Sequence, residues 1–487
     1  MASAAMLLGG GALAGCDDTP VEKEPPTPEV DIGATTPTPV VEPSARVRLA
    51  MLGMRGYGMK LSAAFSKVPG VHISHVCDVD TAVGKTGVDH VKELTGKKPV
   101  FVQDLRKLFE DKSIDAVALS IPHHWHALAA VWAMQAGKHV YLEKPVTHNV
   151  REGRSLLAAM KKYGRVVQTG TQLRSNTSMA AAARYMKEGK LGAVNLAYCM
   201  ACKRRKSIGP LGQHTPPDSV DYDLWSGPAP VLPVNRERFH YDWHWLWEYG
   251  NGGLGNNGVH RVDLARWGMG LTGLGDSVMS YGGRFGYTDA GVTPNTQITI
   301  HQFGDKTVVQ DLRGLPTRGF KSCKNGVMFF GDGAYIRYDG GTAKLMDEKN
   351  VLVKEFEPEP QEESHQANFI RAIREDNPSS LNGGLLEGVQ SAALCHVGSI
   401  SHRVGSPASD SEIMATLEGM STADDLAFAF ARLRSHMGGN KIHQRLILGP
   451  LLDLDSEKET VLDHPDADAL MGREYREPFV LPAPDDV

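Results

Sequence analysis

Two short apolar runs each end in residues equipped for chemistry. Lys138-His139-Val140-Tyr141-Leu142 leads into Glu143-Lys144-Pro145, and Val47-Arg48-Leu49-Ala50-Met51-Leu52 leads into the turn Gly53-Met54-Arg55-Gly56-Tyr57-Gly58. Glycines at 53, 56 and 58 permit a tight turn and the close backbone approach that a pyrophosphate at a helix N-terminus requires. Asp78 stands 20 residues past Gly58, at the end of the alternating run Val71-His72-Ile73-Ser74-His75-Val76-Cys77. A carboxylate there accepts hydrogen bonds from ribose hydroxyls and repels a 2′-phosphate, which selects NAD over NADP. Lys144 adds an ammonium group, and a desolvated ammonium beside a carbinol oxygen stabilises the alkoxide character that grows as hydride leaves. Pro145 fixes the turn that aims it, and Glu143 pairs with a neighbour or orients the lysine. These residues together predict dehydrogenase chemistry.

The elements that must position them alternate. From residue 46 the pattern reads strand, helix, strand, helix, which predicts a parallel sheet with crossover helices. Strands are expected at 47–52, 71–77, near 100–102, and at 114–120, 139–142 and 165–169. Helices are expected from 59, over 125–136 (closed by Gly137) and over 150–163. The fold class is therefore α/β: a doubly wound Rossmann domain over 46–170, then an α+β domain over 171–487. In the second part a helix at 178–188 precedes alternating runs at 194–200, 297–303, 307–312 and 327–338. These predict a mostly antiparallel sheet with one face covered by helices. Amphipathic helices are expected at 362–374 and 385–403, a further helical stretch at 411–436, and a mixed tail at 451–482.

A second chemistry-bearing stretch runs from Tyr241-Asp242-Trp243-His244-Trp245-Leu246-Trp247 through Tyr249 and a glycine-rich loop to Asn256-Asn257-Gly258-Val259-His260. Tryptophans at period two fit either a strand face in the core or a platform on which sugar rings stack. His260 stands where the loop enters a helical stretch; an imidazole with a pKa near 6.5 suits proton transfer, with a capping or core histidine as the alternative.

Gly53-x-x-Gly56-x-Gly58, Asp78, Ile121-Pro122-His123-His124-Trp125-His126 and Glu143-Lys144-Pro145 in combination resemble the Gfo/Idh/MocA oxidoreductase family, from about residue 46 to the C-terminus. That family includes glucose–fructose oxidoreductase, inositol dehydrogenase and NAD-dependent glycosidases. The resemblance implies an NAD cofactor, held by Gly53, Arg55, Gly56, Tyr57, Gly58, Asp78, Pro122, His123, His126 and Glu143. It implies that His260 takes the proton from the hydroxyl being oxidised. It places Trp243, Trp245, Tyr249, Asn257 and Asp263 on the substrate side. Sugar dehydrogenases of the family carry Asp four residues before this histidine, where this chain has Asn256. An amide cannot accept a proton, so acid–base work is expected to rest on His260 and Lys144, with Asn256 orienting substrate.

The chain has 487 residues, 41% hydrophobic and 22% charged, with a net charge of −5. That length predicts more than one domain, and the absence of a basic excess argues against nucleic acid as a partner. Met6 to Ala14 is an apolar stretch too short to span a bilayer, and Leu13-Ala14-Gly15-Cys16 resembles a bacterial lipobox with Cys16 as the lipidated residue. No Arg or Lys precedes it, whereas signal peptides carry a basic n-region, so the start is expected to lie upstream. Residues 17–45 are rich in Pro, Glu and Thr and are expected to form an extended tether reaching on the order of 80 Å. The expectation is an exported, periplasmic or membrane-anchored lipoprotein that touches membrane only through its lipid. Cys199-Met200-Ala201-Cys202 is a lone CxxC pair in a strand-like run, and no metal-ligand constellation is expected. A homo-oligomer stays open.

Three functions fit. One is an exported oxidoreductase of carbohydrates or polyols with tightly bound NAD, since free NAD is scarce outside the cytoplasm. Another is a redox-assisted glycosidase or epimerase that borrows a hydride and returns it. The last is a sugar-binding lipoprotein with a vestigial Rossmann domain.

Overall fold

The computed structural model describes residues 46–358 and 363–487. The lipobox-like segment with Cys16 and the 17–45 stretch lie outside the described residues.

The first sheet is built from β1 (Val47–Leu52), β2 (Val71–Cys77), β3 (Val100–Val102), β4 (Ala116–Leu119), β5 (His139–Leu142) and β6 (Val167–Thr169). All pairs are parallel, in the order β3-β2-β1-β4-β5-β6. The crossovers are α1 (Tyr57–Ser66), α2 (Thr81–Thr95), α3 (Leu105–Glu110), α4 (His123–Gln135) and α5 (Glu152–Tyr163). Strand order reverses between β1 and β4, which makes the crevice beyond their carboxyl ends a ligand site. Register sets the edge: Leu52 pairs with both Cys77 and Leu119, and Leu119 pairs with Leu142. Gly53, Asp78, Ser120 and Glu143 follow these residues and are thereby brought to one rim.

The strands are covered on both faces. Ala116 to Leu119 are all buried, as the unbroken apolar run of a central parallel strand requires. α4 is apolar nearly all round and buries His123, His124 and His126 along with its alanines.

Beyond β6 come α6 (Thr177–Lys187), β7 (Leu196–Cys202), α7 (Tyr222–Ser226) and α8 (Val259–Met269). Then follow β8 (Ser277–Gly283), β9 (Thr296–Phe303), β10 (Lys306–Arg313), β11 (Asn325–Phe330), β12 (Ala334–Asp339), β13 (Thr342–Asp347) and β14 (Leu352–Phe356). The chain closes with α9 (His365–Arg374), α10 (Leu385–Arg403), β15 (Ser406–Ala408), α11 (Asp410–Glu418), α12 (Ala423–Gly439), β16 (Leu446–Leu448), β17 (Leu452–Asp455), β18 (Thr460–Val461) and α13 (Pro465–Ala469). The second sheet runs β14-β13-β12-β11-β7-β10-β9-β8-β16-β15, with β17 also on β8. It is antiparallel except for β7 beside β10.

Helices cover both faces of this sheet, not one as the sequence pattern predicts. Ala197, Cys199 and Ala201 of β7 face α6 and α8. Leu196, Tyr198 and Met200 face the opposite way, onto Ile413, Leu426 and Leu433 of α11 and α12. The CxxC cysteines thus fall on opposite faces of one strand, both buried and free. The expected helix at 411–436 is two helices, parted where Thr422 takes φ 59°. The run at 327–338 is likewise two strands, turned by Gly331 to Gly333.

Later segments return to the first sheet. Phe369 of α9 packs on Phe65 and Tyr141, and α10 contributes Leu385 and Val389 to one core and Leu394 and Cys395 to the other. Phe479 and Leu481 of the tail pack among α4 residues.

Candidate active site

The rim of the first sheet and the loops before α8 enclose a cleft of about 470 Å³. One end is the glycine turn. Gly53 (φ 82°) and Gly56 (φ 57°) occupy left-handed backbone, which costs an L-residue roughly 1–2 kcal/mol. A Cβ on Gly53 would meet Ser120 O at 2.3 Å, and one on Gly58 would meet Gly53 O at 1.8 Å. The turn is therefore closed on itself and presents main chain to the cleft. Asp78 lies beside it: Oδ2 accepts from Met54 N at 2.9 Å and Oδ1 from Asp80 N at 3.0 Å. Burial outweighs these bonds and pushes the Asp78 carboxyl up to about 6. Arg55, Tyr57, Pro122 and His123 also line the cleft, as expected of the cofactor side. Tyr57 opens α1 and its hydroxyl accepts from Gln172 Nε2 at 3.2 Å.

At the other end Lys144 extends from the β5 terminus, and its Nζ donates to Asn256 O at 2.8 Å and to Asn256 Oδ1 at 3.4 Å. Asn256 belongs to a wide turn, Leu254–Gly258, that leads directly into α8. The sequence expectation gave Asn256 to the substrate; the structure places both its oxygens on Lys144 and leaves Nδ2 buried and unpartnered. Burial lowers the Lys144 ammonium, Glu143 pulls it back up, and Arg205 and Lys203 lower it further. Burial raises the Glu143 carboxyl. Its Oε2 accepts from Lys144 N at 3.3 Å while Oε1 is buried without a partner.

His260 lines the cleft from the first turn of α8, with Nδ1 buried and unpartnered. Burial, then Lys144 and Arg261, holds its pKa well below the usual imidazole value. His123 Nδ1 donates to Asn251 Oδ1 at 3.0 Å, a direction fixed by Asn251 Nδ2 donating to His148 O at 2.8 Å. His126 lines the cleft too, but both ring nitrogens are engaged, with Pro145 O at 2.6 Å and Ile121 O at 2.8 Å. It braces the turn that carries Lys144 and has no nitrogen free for a cofactor.

Three substrate-side expectations fall away from the cleft. The tryptophans do not form a strand face; they sit on a short helical turn (Asp242–Trp245) and the loop after it, and diverge. Trp243 lines the cleft, whereas Trp245 is buried under Arg205 and packs with Ile208 and Ala290. Tyr249 belongs to an aromatic cluster with Trp225 and Phe239. Asp263 is buried in an ion pair with Arg174 at 2.9 Å and accepts from Ser391 at 2.8 Å. Alternating aromatics and a helical aspartate read equally as site or scaffold, and only packing separates them. Asn257 does reach the cleft.

The cleft also contains residues that sequence reasoning missed. His244 stacks on Trp243 (3.6 Å between ring centres, 19°), and its Nδ1 donates to Tyr241 O. His240 binds Asp80 Oδ2 at 2.9 Å, and Lys203 and Arg205 line the substrate end. The basic run Lys203-Arg204-Arg205-Lys206 was the available signal.

Known proteins share this architecture. Residues 47–171 match the model of the Gfo/Idh/MocA oxidoreductase family, NAD-binding Rossmann fold. Residues 206–275 match the family's C-terminal alpha/beta domain. The chain belongs to the Gfo/Idh/MocA oxidoreductase family. Among its relatives, a glycosyl hydrolase family 109 protein of Shewanella baltica is 30% identical over 146 residues, 29% of this chain and 30% of that protein. An alpha-N-acetylgalactosaminidase of Shewanella oneidensis is 33% identical over 110 residues, 22% of this chain and 24% of that protein. These matches thus span less than a third of either relative. In fold, the chain is similar to a levoglucosan dehydrogenase solved with NADH and levoglucosan, with a TM-score of 0.54, 16% identity, and coverage of 72% of this chain and 95% of that one. It is also similar to the WlbA dehydrogenase of Bordetella pertussis solved with NADH and UDP-GlcNAcA, with a TM-score of 0.53, 19% identity and coverage of 72% and 94%.

The residues present fit the family's NAD. Gly53 and Gly58 leave no room for a side chain, Asp78 offers a carboxylate at the β2 end, and Glu143 Oε1, Asn256 Nδ2 and His260 Nδ1 are buried polar atoms without partners.

Proposed function

We propose that the protein is an NAD-dependent oxidoreductase acting on a hydroxyl of a carbohydrate or polyol, with the cofactor held tightly. The observation that carries this reading is the convergence of Lys144, Asn256 and His260 in the same cleft as the glycine turn and Asp78. Gly53, Gly56 and Gly58 would present backbone to the pyrophosphate, and Asp78 would accept from the adenosine ribose. NAD, when bound, supplies a hydride acceptor. Lys144 donates a hydrogen bond to the substrate oxygen and stabilises charge as it develops there. Asn256 fixes the ammonium through two oxygens, so little reorganisation is needed during reaction. His260 is held neutral by burial and by the Lys144 charge, so its ring is open to accept a proton, as a weaker base than a solvated imidazole. Trp243, with His244 stacked on it, lends an apolar aromatic wall to the cleft against which a sugar ring would pack.

A second reading is favoured by the names of the glycosyl hydrolase family 109 relatives: transient oxidation of a ring carbon, elimination of the aglycone as its alcohol, addition of water to the resulting unsaturated ketone and return of the hydride. The lipobox-like Leu13 to Cys16 supports an exported location, where a cofactor that never leaves has an advantage.

Protein purified without added cofactor is denatured, and the released nucleotide quantified. Stoichiometric NAD, with product formed from a glycoside but no NADH build-up, supports hydride borrowing. NADH accumulation with added NAD and a free sugar supports net dehydrogenation. Absence of any nucleotide, with no affinity for NAD, contradicts both.

A further inference from the structure

Lys203 and Arg205 follow β7 and continue its alignment with β10: Lys203 N donates to Arg313 O at 3.1 Å and Arg205 N to Gly314 O at 2.7 Å. Extended backbone sends alternate side chains the same way, so these two reach the cleft while Arg204 and Lys206 do not line it. Arg205 is fixed in place. Its guanidinium lies over the Trp245 ring at 4.9 Å, and Nη1 donates to the Tyr241 hydroxyl at 2.7 Å. Tyr241 itself stands at φ 68°, a conformation a bulky residue adopts only where its surroundings impose it.

Neither cation has an ion pair with a carboxylate among the described residues. Arg174 sits on Asp263, Arg284 on Asp289 and Arg313 on Asp311, whereas buried Arg236 is held by the Phe239 carbonyl and aromatic rings; Lys203 is exposed and Arg205 half-buried. The cleft holds Arg55, Lys144, Lys203 and Arg205 against Asp78 and Glu143 alone. Asp78 lies with Arg55 at the glycine-turn end, and Glu143 is adjacent to Lys144. Lys203 and Arg205 thus remain as a positive pair, close enough to Lys144 to depress its ammonium. Three cations around one carboxylate make this end of the cleft electropositive, which favours an entering anion. A guanidinium with its Nη1 already placed and its other edge free is suited to bidentate capture of an oxyanion.

We infer that the substrate is an anionic sugar, whose carboxylate, sulfate or phosphate is bound by Arg205 and Lys203 while Lys144 addresses its reacting hydroxyl. This deepens the oxidoreductase reading above and rests on it. The sugar ring spans Trp243 between the two, and Asn257, which borders both the cleft and the small side pocket under Arg205, lies along the same wall.

The test compares matched probes on NAD-loaded protein: methyl glucoside, methyl glucuronoside, glucose 6-sulfate and glucose 6-phosphate, with the corresponding galacto series. Binding is followed by calorimetry and hydride transfer by absorbance at 340 nm. At least one charged form is expected to exceed its neutral counterpart by tenfold or more in affinity and kcat/KM, and the preference should shrink with added salt. The best arm among carboxylate, sulfate and phosphate identifies the anion. Arg205→Gln and Lys203→Gln, each checked for unchanged NAD content, should bring the charged-to-neutral ratio towards one through KM more than kcat. Equal or better use of neutral sugars, with ratios unmoved by either substitution, would overturn this inference and leave the oxidoreductase reading intact. If the pair only tunes Lys144, the substitutions shift the alkaline limb of the pH profile without changing the ratio, and that result also overturns it. Neither binding nor hydride transfer with any probe would count against both readings.

Discussion

Lys144 Nζ donates to the main-chain oxygen of Asn256 at 2.8 Å, joining the rim of the parallel sheet to the turn that launches α8. That bond brings the ammonium, the amide and, four residues on, His260 into one geometry, although they are more than a hundred residues apart in sequence.

Replacing Asn256 with Asp should change the pH profile more than the fold. A carboxylate beside Nζ favours the charged ammonium, so the Lys144 pKa rises from its burial-lowered position. Lys144 acts in its protonated form, and activity is lost as pH rises through its pKa. The alkaline limb of kcat/KM in Asn256→Asp is therefore expected at higher pH than in the parent, by about one unit or more.

Nucleotide affinity should weaken in acid. The folded, cofactor-free Asp78 carboxyl titrates at about 6, above its ordinary value. A raised carboxyl pKa favours the folded apo form below the unfolded pKa, and that contribution is lost as pH rises through about 6. Accepting from ribose hydroxyls needs the carboxylate, so NAD affinity should fall by up to about tenfold per pH unit below that point. Calorimetry in buffers of different ionisation enthalpy should show proton release near pH 6, absent in Asp78→Asn.

The three glycines of the turn should respond unequally. Gly56→Ala meets left-handed backbone but open space, so it should cost about 1–2 kcal/mol. Gly58→Ala drives a Cβ into Gly53 O and should cost more than about 4 kcal/mol or abolish NAD retention. Chemical denaturation and nucleotide content of the two variants check the ranking.

Asp263→Asn should destabilise without emptying the cofactor site. Removing Asp263 leaves the Arg174 guanidinium with only the half-exposed Glu387 carboxylate, at 3.1 Å, a loss of up to about 3 kcal/mol, the lower end for breaking a buried pair. Thermal melting should show it, with NAD content per folded molecule unchanged. An intact melting temperature with a raised substrate KM would restore Asp263 to the substrate side.

The Rossmann half was legible because period and punctuation agree there. Val71–Cys77 alternates and His139–Leu142 is an apolar run, both bounded by turn residues, and each strand end delivers its chemistry one residue later. The second half was less legible for identifiable reasons. Ser277–Gly283 carries Ser and Gly where a strand signal needs β-branched residues, and its place in the sheet comes from pairing with β9. Trp243 and Trp245 are alike in sequence and part only because one faces the cleft and the other lies beneath Arg205. The two-sided cover of the second sheet rests on α11 and α12, whose contacts lie far from β7 in the chain.

Lys144 is assigned to the substrate and not to holding the cofactor. The direct measurement is paired on one preparation each of the parent and Lys144→Ala: nucleotide released per chain, and turnover of the sugar that the parent uses. Equal NAD content is expected, with turnover reduced by at least about a hundredfold in the variant. Retained turnover, or loss of NAD in step with activity, would contradict that assignment.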